Sequence, residues 1–310
     1  MTSYAERPTV EMTNPRADRV KSVARLSGRS ARLKTGKFRV EGPQAVREAL
    51  RSGLEGKHNV GAVQELYYQP ETLQRHPDIA ELVDNLDPAD VFVRSCTAEV
   101  IAAMSDAQTP QGLVAVCTLV GRTEDNEPTG RYVALLCGLQ DPGNVGTIIR
   151  AADAAGATAT ILSSGSVDVH NPKVVRSTVG SLFHLPIYQN QDVSAVVQAY
   201  RSAGWQIFAA DGYGDVDLDQ LQNEALQNGS RQPASQEPDL RKNTIWLFGN
   251  EAKGLSEAEL ELADARVAVP LYGQAESLNV ATAATLCLYA SARAHRSKAE
   301  TSSSDATKND

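Results

Sequence analysis

Short apolar runs alternating with amphipathic stretches carry the chain from residue 38 to residue 294. The runs at 38–40, 63–68, 91–93 and 113–118 are only a few residues long and predict strands; the stretches at 43–52, 80–85 and 98–105 predict helices. Together they describe a small α/β domain over residues 16 to 120. A polar connector at 121–130, Gly-Arg-Thr-Glu-Asp-Asn-Glu-Pro-Thr-Gly, has the composition of a linker. A second series follows, with strands at 132–137, 158–162, 185–188, 206–210, 245–248 and 267–269. Helices are expected at 145–155, from 172, at 193–203 and from about 278 to 294. Strand, crossover helix, strand is the grammar of a parallel sheet, so residues 131 to 296 form a second, larger α/β domain. Residues 1–15 and 297–310 are polar and lack apolar anchors, which predicts disorder, and 228–243 reads as an exposed loop.

Each buried parallel strand delivers a polar loop at its carboxyl end, where α/β sheets bind ligands. Strand 245–248 is followed by Gly-Asn-Glu-Ala-Lys-Gly from residue 249. Strand 267–269 leads through Leu271 and Glu276 to Ser277, placed as N-cap of a helix starting near Leu278. The loop 138–143 brings Asn144 to or next to the N-cap of another helix, with Arg150 roughly 9 Å further along its axis. No Gly-x-Gly-x-x-Gly and no P-loop Lys-Ser/Thr is present, so none of these loops encodes a nucleotide-phosphate cradle. Taken singly, Asn144 and Ser277 are helix caps, Arg150 a solvated helix residue, Glu251 a helix-start carboxylate, and Asn279 an ordinary first-turn residue.

Composition adds three constraints. With 310 residues and 42% hydrophobic content there is material for two ordinary domains. No apolar run is long enough to cross a bilayer and the N-terminus has no apolar signal segment, so the expected location is cytoplasmic. Cys96, Cys117, Cys137 and Cys287 are far apart, which suits reduced thiols rather than a zinc site or a disulfide framework. The net charge of −8 argues against a polyanionic partner, but its distribution does not. Residues 16 to 57 concentrate arginine and lysine against only Asp18, Glu41, Glu48 and Glu55. Such a cluster either neutralises phosphates of a nucleic acid or forms a solvated helical face.

The three loops together carry a family resemblance. Asn-Val-Gly-Thr-Ile-Ile-Arg at 144–150, Gly-Asn-Glu-Ala-Lys-Gly-Leu-Ser at 249–256 and Val-Pro-Leu-Tyr-Gly-Gln-Ala-Glu-Ser-Leu-Asn-Val-Ala at 269–281 resemble motifs 1, 2 and 3 of the SpoU (TrmH-like) RNA 2′-O-ribose methyltransferases of the SPOUT class. They occur in the family's order and spacing. Phe-Arg-Val-Glu-Gly at 38–42 resembles, less specifically, the substrate-binding domain that precedes the catalytic half in many members. The resemblance implies a deep trefoil knot in the second domain, one of the few exceptions to unthreaded chains, and a homodimer with its active site at the interface. It implies S-adenosylmethionine as methyl donor, with no metal, held by the loops around Gly249, Val269, Leu271 and Leu278. Asn144, Arg150, Glu251, Ser277 and Asn279 would form the catalytic wall, with Arg150 acting on a cofactor bound largely by the other subunit. Two roles for Arg150 stand open: a base neutralised by an unusual site, or a charged group that grips a phosphate and leaves water or phosphate to take the proton. Arg29, Arg32, Lys34, Lys37, Arg39 and Arg176 would contact RNA. The N-terminal domain resembles the arrangement in ribosomal RNA enzymes, with large-subunit ribosomal RNA as substrate. A tRNA methyltransferase and a silent RNA-binding assembly factor are the alternatives; the latter would be expected to have lost Asn144, Arg150, Ser277 or Asn279.

Overall fold

The computed structural model describes residues 10–55, 61–121, 128–227 and 237–306. Most of the expected linker and the first half of the 228–243 loop lie outside these residues. The chain divides into two compact units, Met1–Gly121 with Asp168–His184, and Arg122–Val167 with Leu185–Asp310.

In the first unit, helices α1 (Asp18–Ala24) and α2 (Arg29–Thr35), joined by a 3-10 turn, precede the first strand. Helix α1 and the turn form because Val20, Val23 and Leu26 recur at helical spacing and all three are buried. Strand β1 (Lys37–Glu41), helix α3 (Pro43–Leu54), strand β2 (Val63–Tyr68), helices α4 (Pro70–Arg75) and α5 (Pro77–Asp84), strand β3 (Phe92–Ser95), helix α6 (Ala98–Met104) and strand β4 (Leu113–Thr118) follow. Proline opens α3, α4 and α5, where its missing N–H has no helical partner to lose. The sheet order is β1-β4-β2-β3, antiparallel except for the β2–β3 pair. Residues 10–14, expected to be disordered, are tied down at Met12. Its amide donates to the Ser95 carbonyl at 2.9 Å, and its carbonyl accepts from the Thr97 amide at 3.1 Å.

The second unit holds a seven-stranded sheet in which, among the described residues, every strand pairing is parallel. Its elements are β5 (Tyr132–Leu136), α7 (Pro142–Ala155) and β6 (Ala159–Ser163). After β6 the chain departs as α8 (Pro172–Thr178), which belongs to the first unit. It returns as β7 (Ile187–Gln191), α9 (Val193–Ser202), β8 (Gln206–Ala210), the short β9 (Val216–Asp217) and α10 (Leu218–Gln227). Strand β10 (Thr244–Phe248), α11 (Glu257–Leu260), β11 (Ala265–Ala268) and α12 (Val280–Ala306) complete it. The order is β7-β6-β5-β10-β8-β11-β9, so β10 enters late, between β5 and β8. All residues of β5, β6 and β10 are buried, the mark of a parallel sheet covered on both faces.

Three sequence expectations are corrected here. The sequence pattern assigns residues 168–184 to the second domain, yet they pack with the first unit. Phe38 of β1 lies 4.9 Å from the His170 ring and 6.3 Å from that of Phe183, and Gly180 approaches Glu48 so closely that a Cβ would fall 2.7 Å from its Cγ. The tail from 297 is expected to be disordered, but α12 continues to Ala306. The described end of the 228–243 loop is not exposed throughout, since Asp239 and Leu240 are buried, with Asp239 carbonyl and amide both bonded to the Gln206 side chain.

Candidate active site

Three loops meet at the carboxyl edge of the parallel sheet. The first begins at Asp141, whose Oδ1 accepts from the Asn144 amide at 2.9 Å and caps α7. Asn144 is therefore the third residue of the helix and not its cap; Pro142 fixes the first turn and leaves the Asn144 side chain free to face the neighbouring loops. The second loop leaves β10 at Gly249, where a Cβ would fall 2.3 Å from both the Gly254 carbonyl carbon and the Leu255 nitrogen. Asn250 and Gly254 exchange two backbone hydrogen bonds of 3.0 and 2.8 Å, and the Asn250 side chain donates to the Gly138 carbonyl at 2.9 Å. The third loop ends at the start of α12, and the cap there is Asn279, not Ser277. Asn279 Oδ1 accepts from the Ala281 amide at 2.9 Å, whereas Ser277 sits two residues earlier, outside any helix or strand.

The side chains of these loops form one network. Glu251 accepts from the Gln140 amide at 3.2 Å, the Asp141 amide at 3.0 Å and Asn144 Nδ2 at 3.3 Å. Asn279 Nδ2 donates to Asn144 Oδ1 at 2.9 Å, so the carboxylate on one side and the amide donor on the other fix the Asn144 orientation. Partial burial opposes ionisation of Glu251, but its own amide, those of Gln140 and Asp141, and Asn144 outweigh it and hold the carboxyl below its ordinary value. Replacing Asn279 with alanine removes both the cap and this bond; thermal unfolding is expected to show a loss of about 1 kcal/mol, and an unchanged melting temperature would contradict the capping role. Arg150, further along α7, is exposed and makes no hydrogen bond or ion pair among the described residues.

Beside the network lies a cavity of about 220 Å³ between the ends of β8, β10 and β11. Gly249, Val269, Leu271 and Leu278 all line it, as do Glu251 and Ser277. Its floor is apolar, from Phe248, Val267 and Leu278, and its rim carries Glu276 of the third motif and Asp211, which the sequence did not single out. Asp211 is held by Arg266 Nε at 2.8 Å. A heterocycle with apolar faces and a positive sulfonium fits such a lining, because main-chain groups and carboxylates are the donors and counter-charges it needs.

The basic candidates divide. Arg29 and Lys34 are exposed on α2, Lys37 is 3.3 Å from Glu65, and Arg176 is partly exposed. Arg32 and Arg39 are not available to a ligand. Arg32 Nη2 lies 2.6 Å from Asp168 and its Nη1 donates to the carbonyls of Leu26 and Ser27 at 3.0 and 2.6 Å. Arg39 is 2% exposed, with Nε 2.8 Å from Glu41, Nη2 2.6 Å from Asp106, and Nη1 donating to the Met104 carbonyl. Both are internal ion pairs that fasten distant segments. Arg32→Ala is expected to destabilise the fold by about 3–5 kcal/mol, read from chemical denaturation, whereas an RNA contact would leave stability unchanged. Burial opposes the Asp168 charge, but His170 and Arg32 more than compensate and hold the carboxyl well below its usual range. A depressed folded-state value means that the stabilisation is complete above about pH 4, where the unfolded carboxyl titrates, and is lost as the pH falls further. Asp168→Asn should flatten that acid limb of stability; an unaltered limb would contradict it.

A parallel α/β sheet with a polar network and a cavity at its carboxyl edge defines a ligand-binding enzyme class of the open-sheet type. The comparisons with known proteins specify it. Residues 131–289 match the model of the SpoU rRNA Methylase family and residues 17–115 that of the MRM3-like substrate binding domain. The chain belongs to the SpoU methylase family. It is 34% identical over 279 residues, 90% of this chain and 98% of the relative, to the 23S rRNA (guanosine(2553)-2′-O)-methyltransferase RlmP of Bacillus subtilis. It is 27% identical to human mitochondrial rRNA methyltransferase 3, over 90% of this chain and 73% of that one. Among solved structures, AviRb from Streptomyces viridochromogenes in complex with AdoMet superposes with a TM-score of 0.70 at 30% identity, covering 90% of this chain and 98% of that one.

Proposed function

We propose that this chain transfers a methyl group from S-adenosylmethionine to a ribose 2′-hydroxyl of RNA, most directly of large-subunit ribosomal RNA, in the cytoplasm. The observation that carries the reading is the Glu251–Asn144–Asn279 network, which joins residues of all three motifs at the rim of the 220 Å³ cavity. Bound in that cavity, the donor supplies a methyl group already activated by its positive sulfur. Gly249, Val269, Leu271 and Leu278 hold its apolar parts, and the Glu251 and Glu276 carboxylates favour its charge. What remains for the protein is alignment of the hydroxyl and help with its proton. Asn144, fixed from both sides, orients the ribose, and Ser277 and Asn279 complete the polar wall. Arg150 offers an unengaged fork of donors; this supports the version in which it grips the neighbouring phosphate and sharpens the acidity of the hydroxyl.

The homodimer belongs to the same proposal. Helix α12 exposes Leu286 at 43% and Tyr289 at 49%, and its neighbour α7 exposes Thr147 and Arg150 on its outer side. Apolar residues of that size beside a catalytic arginine suit a second copy that completes the site. The late entry of β10 between β5 and β8 supports the threaded, knotted chain of the family. Labelled S-adenosylmethionine offered with unmodified large-subunit ribosomal RNA and with bulk tRNA tests the function: label in ribosomal RNA is expected, and label in tRNA alone would overturn the substrate.

A further inference from the structure

The first unit contains a second cavity, of about 390 Å³, at the junction of β1 and α3, with Gln44, Thr109, Gln111, Leu113, Arg176 and Glu41 among its walls. We propose that it binds one unpaired nucleobase of the RNA, of the kind that presents a carbonyl beside a ring N–H, namely guanine or uracil. The inference rests on the RNA-methyltransferase reading and specifies where that enzyme reads sequence.

Three observations lead there. Arg176 Nη1 is a buried donor without a hydrogen-bond acceptor, 3.8 Å from Glu41 Oε1. Buried donors are normally satisfied, and one left open on a cavity wall marks the place of a missing acceptor. The nearby carboxylate does not fill that role, because it is already engaged: Glu41 Oε1 lies 2.8 Å from Arg39 Nε and accepts from the Asp106 amide at 3.2 Å, and Oε2 accepts from Ser105 Oγ. Charge then decides the class of ligand. Arg39 and Arg176 are balanced by Glu41 and by Asp106, which is 2.6 Å from Arg39 Nη2, so the wall has no surplus positive charge for a phosphate. A neutral carbonyl needs only the one donor that is open. Gln44 and Gln111 make no side-chain hydrogen bond among the described residues, and each offers a donor and an acceptor. With Arg176 donating to the carbonyl, a glutamine oxygen accepts from the ring N–H beside it, which guanine and uracil present; adenine lacks the carbonyl and cytosine the ring N–H. The volume lies within the range of sites for small heterocyclic ligands, and RNA proteins read sequence mainly through splayed, single-stranded bases.

The test uses the full chain and fluorescence anisotropy with labelled single-stranded adenosine decamers carrying one central guanosine, uridine, cytidine or adenosine. The guanosine and uridine decamers are expected to bind about tenfold more tightly than the other two, the scale of a base read by two hydrogen bonds. Gln44→Leu with Gln111→Leu should abolish that preference; both side chains are exposed, so this variant avoids the folding risk of altering Arg176. Equal binding of all four decamers, or a preference that survives in the double variant, would overturn the proposal. Calorimetric titration with S-adenosylmethionine on the same preparations separates the two readings. Cofactor binding without base preference refutes the pocket alone, and base preference without cofactor binding refutes the methyltransferase alone.

Discussion

Replacing Arg150 with alanine is expected to lower methyl transfer by at least about two orders of magnitude, the scale of acid–base and positioning help, while S-adenosylmethionine binds as before. The separation follows from placement. Arg150 is exposed on α7 and does not line the cavity, so its loss removes no cofactor contact within one chain. It also leaves the fold untouched, because no hydrogen bond or ion pair of the described residues depends on it. Single-turnover rates with saturating RNA, beside calorimetric cofactor binding, measure the two effects independently. Near-normal turnover would remove Arg150 from the chemistry. Arg150→Lys keeps the charge but not the forked donor geometry, and intermediate activity is expected if the role is to grip a phosphate.

Gly249→Ala should produce the largest effect on cofactor binding. A methyl group at this position would fall 2.3 Å from backbone atoms of Gly254 and Leu255, and backbone cannot swing aside as a long side chain does. The loop that holds Asn250, Glu251 and one wall of the cavity must move instead. Overpacking of this kind costs about 1–3 kcal/mol, and the displaced loop should cost cofactor affinity as well. Urea denaturation and calorimetry measure the two losses; unchanged values in both would show that the loop's closeness is incidental.

Much of this site was legible in the sequence, for definable reasons. Strands β5, β6 and β10 are buried on both faces and therefore appear as unbroken apolar runs, and the rule that ligands gather at their carboxyl ends located the loops. The motif order singled out Asn144, Glu251 and Asn279, which the network joins. The exact caps were less legible. Asp141 followed by Pro142 is a recognisable helix start, and reading it would have placed Asn144 inside α7. Ser277 reads as the cap when the helix is started near Leu278; both Ser and Asn are good caps, and only the backbone places the start at Val280 with Asn279 as cap.

Two members of the basic cluster, Arg32 and Arg39, are internal for a different reason. Charge is visible in a sequence and burial is not. In β1 the residues Lys37, Arg39 and Glu41 alternate with Phe38 and Val40, yet Arg39 is buried and donates to the Met104 carbonyl at the end of α6. Arg32 finds its partner Asp168 at a sequence separation of 136 residues, across a segment that local pattern assigns to the other domain. Residues 168–184 illustrate the same limit: nothing in their own sequence states that the crossover between β6 and β7 packs in the first unit.

Alkaline hydrolysis of the product RNA tests the central claim most directly. A 2′-O-methyl group blocks attack of the hydroxyl on its own phosphodiester, so large-subunit ribosomal RNA treated with the wild-type protein and S-adenosylmethionine should gain one alkali-resistant bond, absent after treatment with the Arg150→Ala variant. Incorporated methyl label with an unbroken alkaline ladder would place the methyl group on a base and contradict ribose 2′-O methylation by this site.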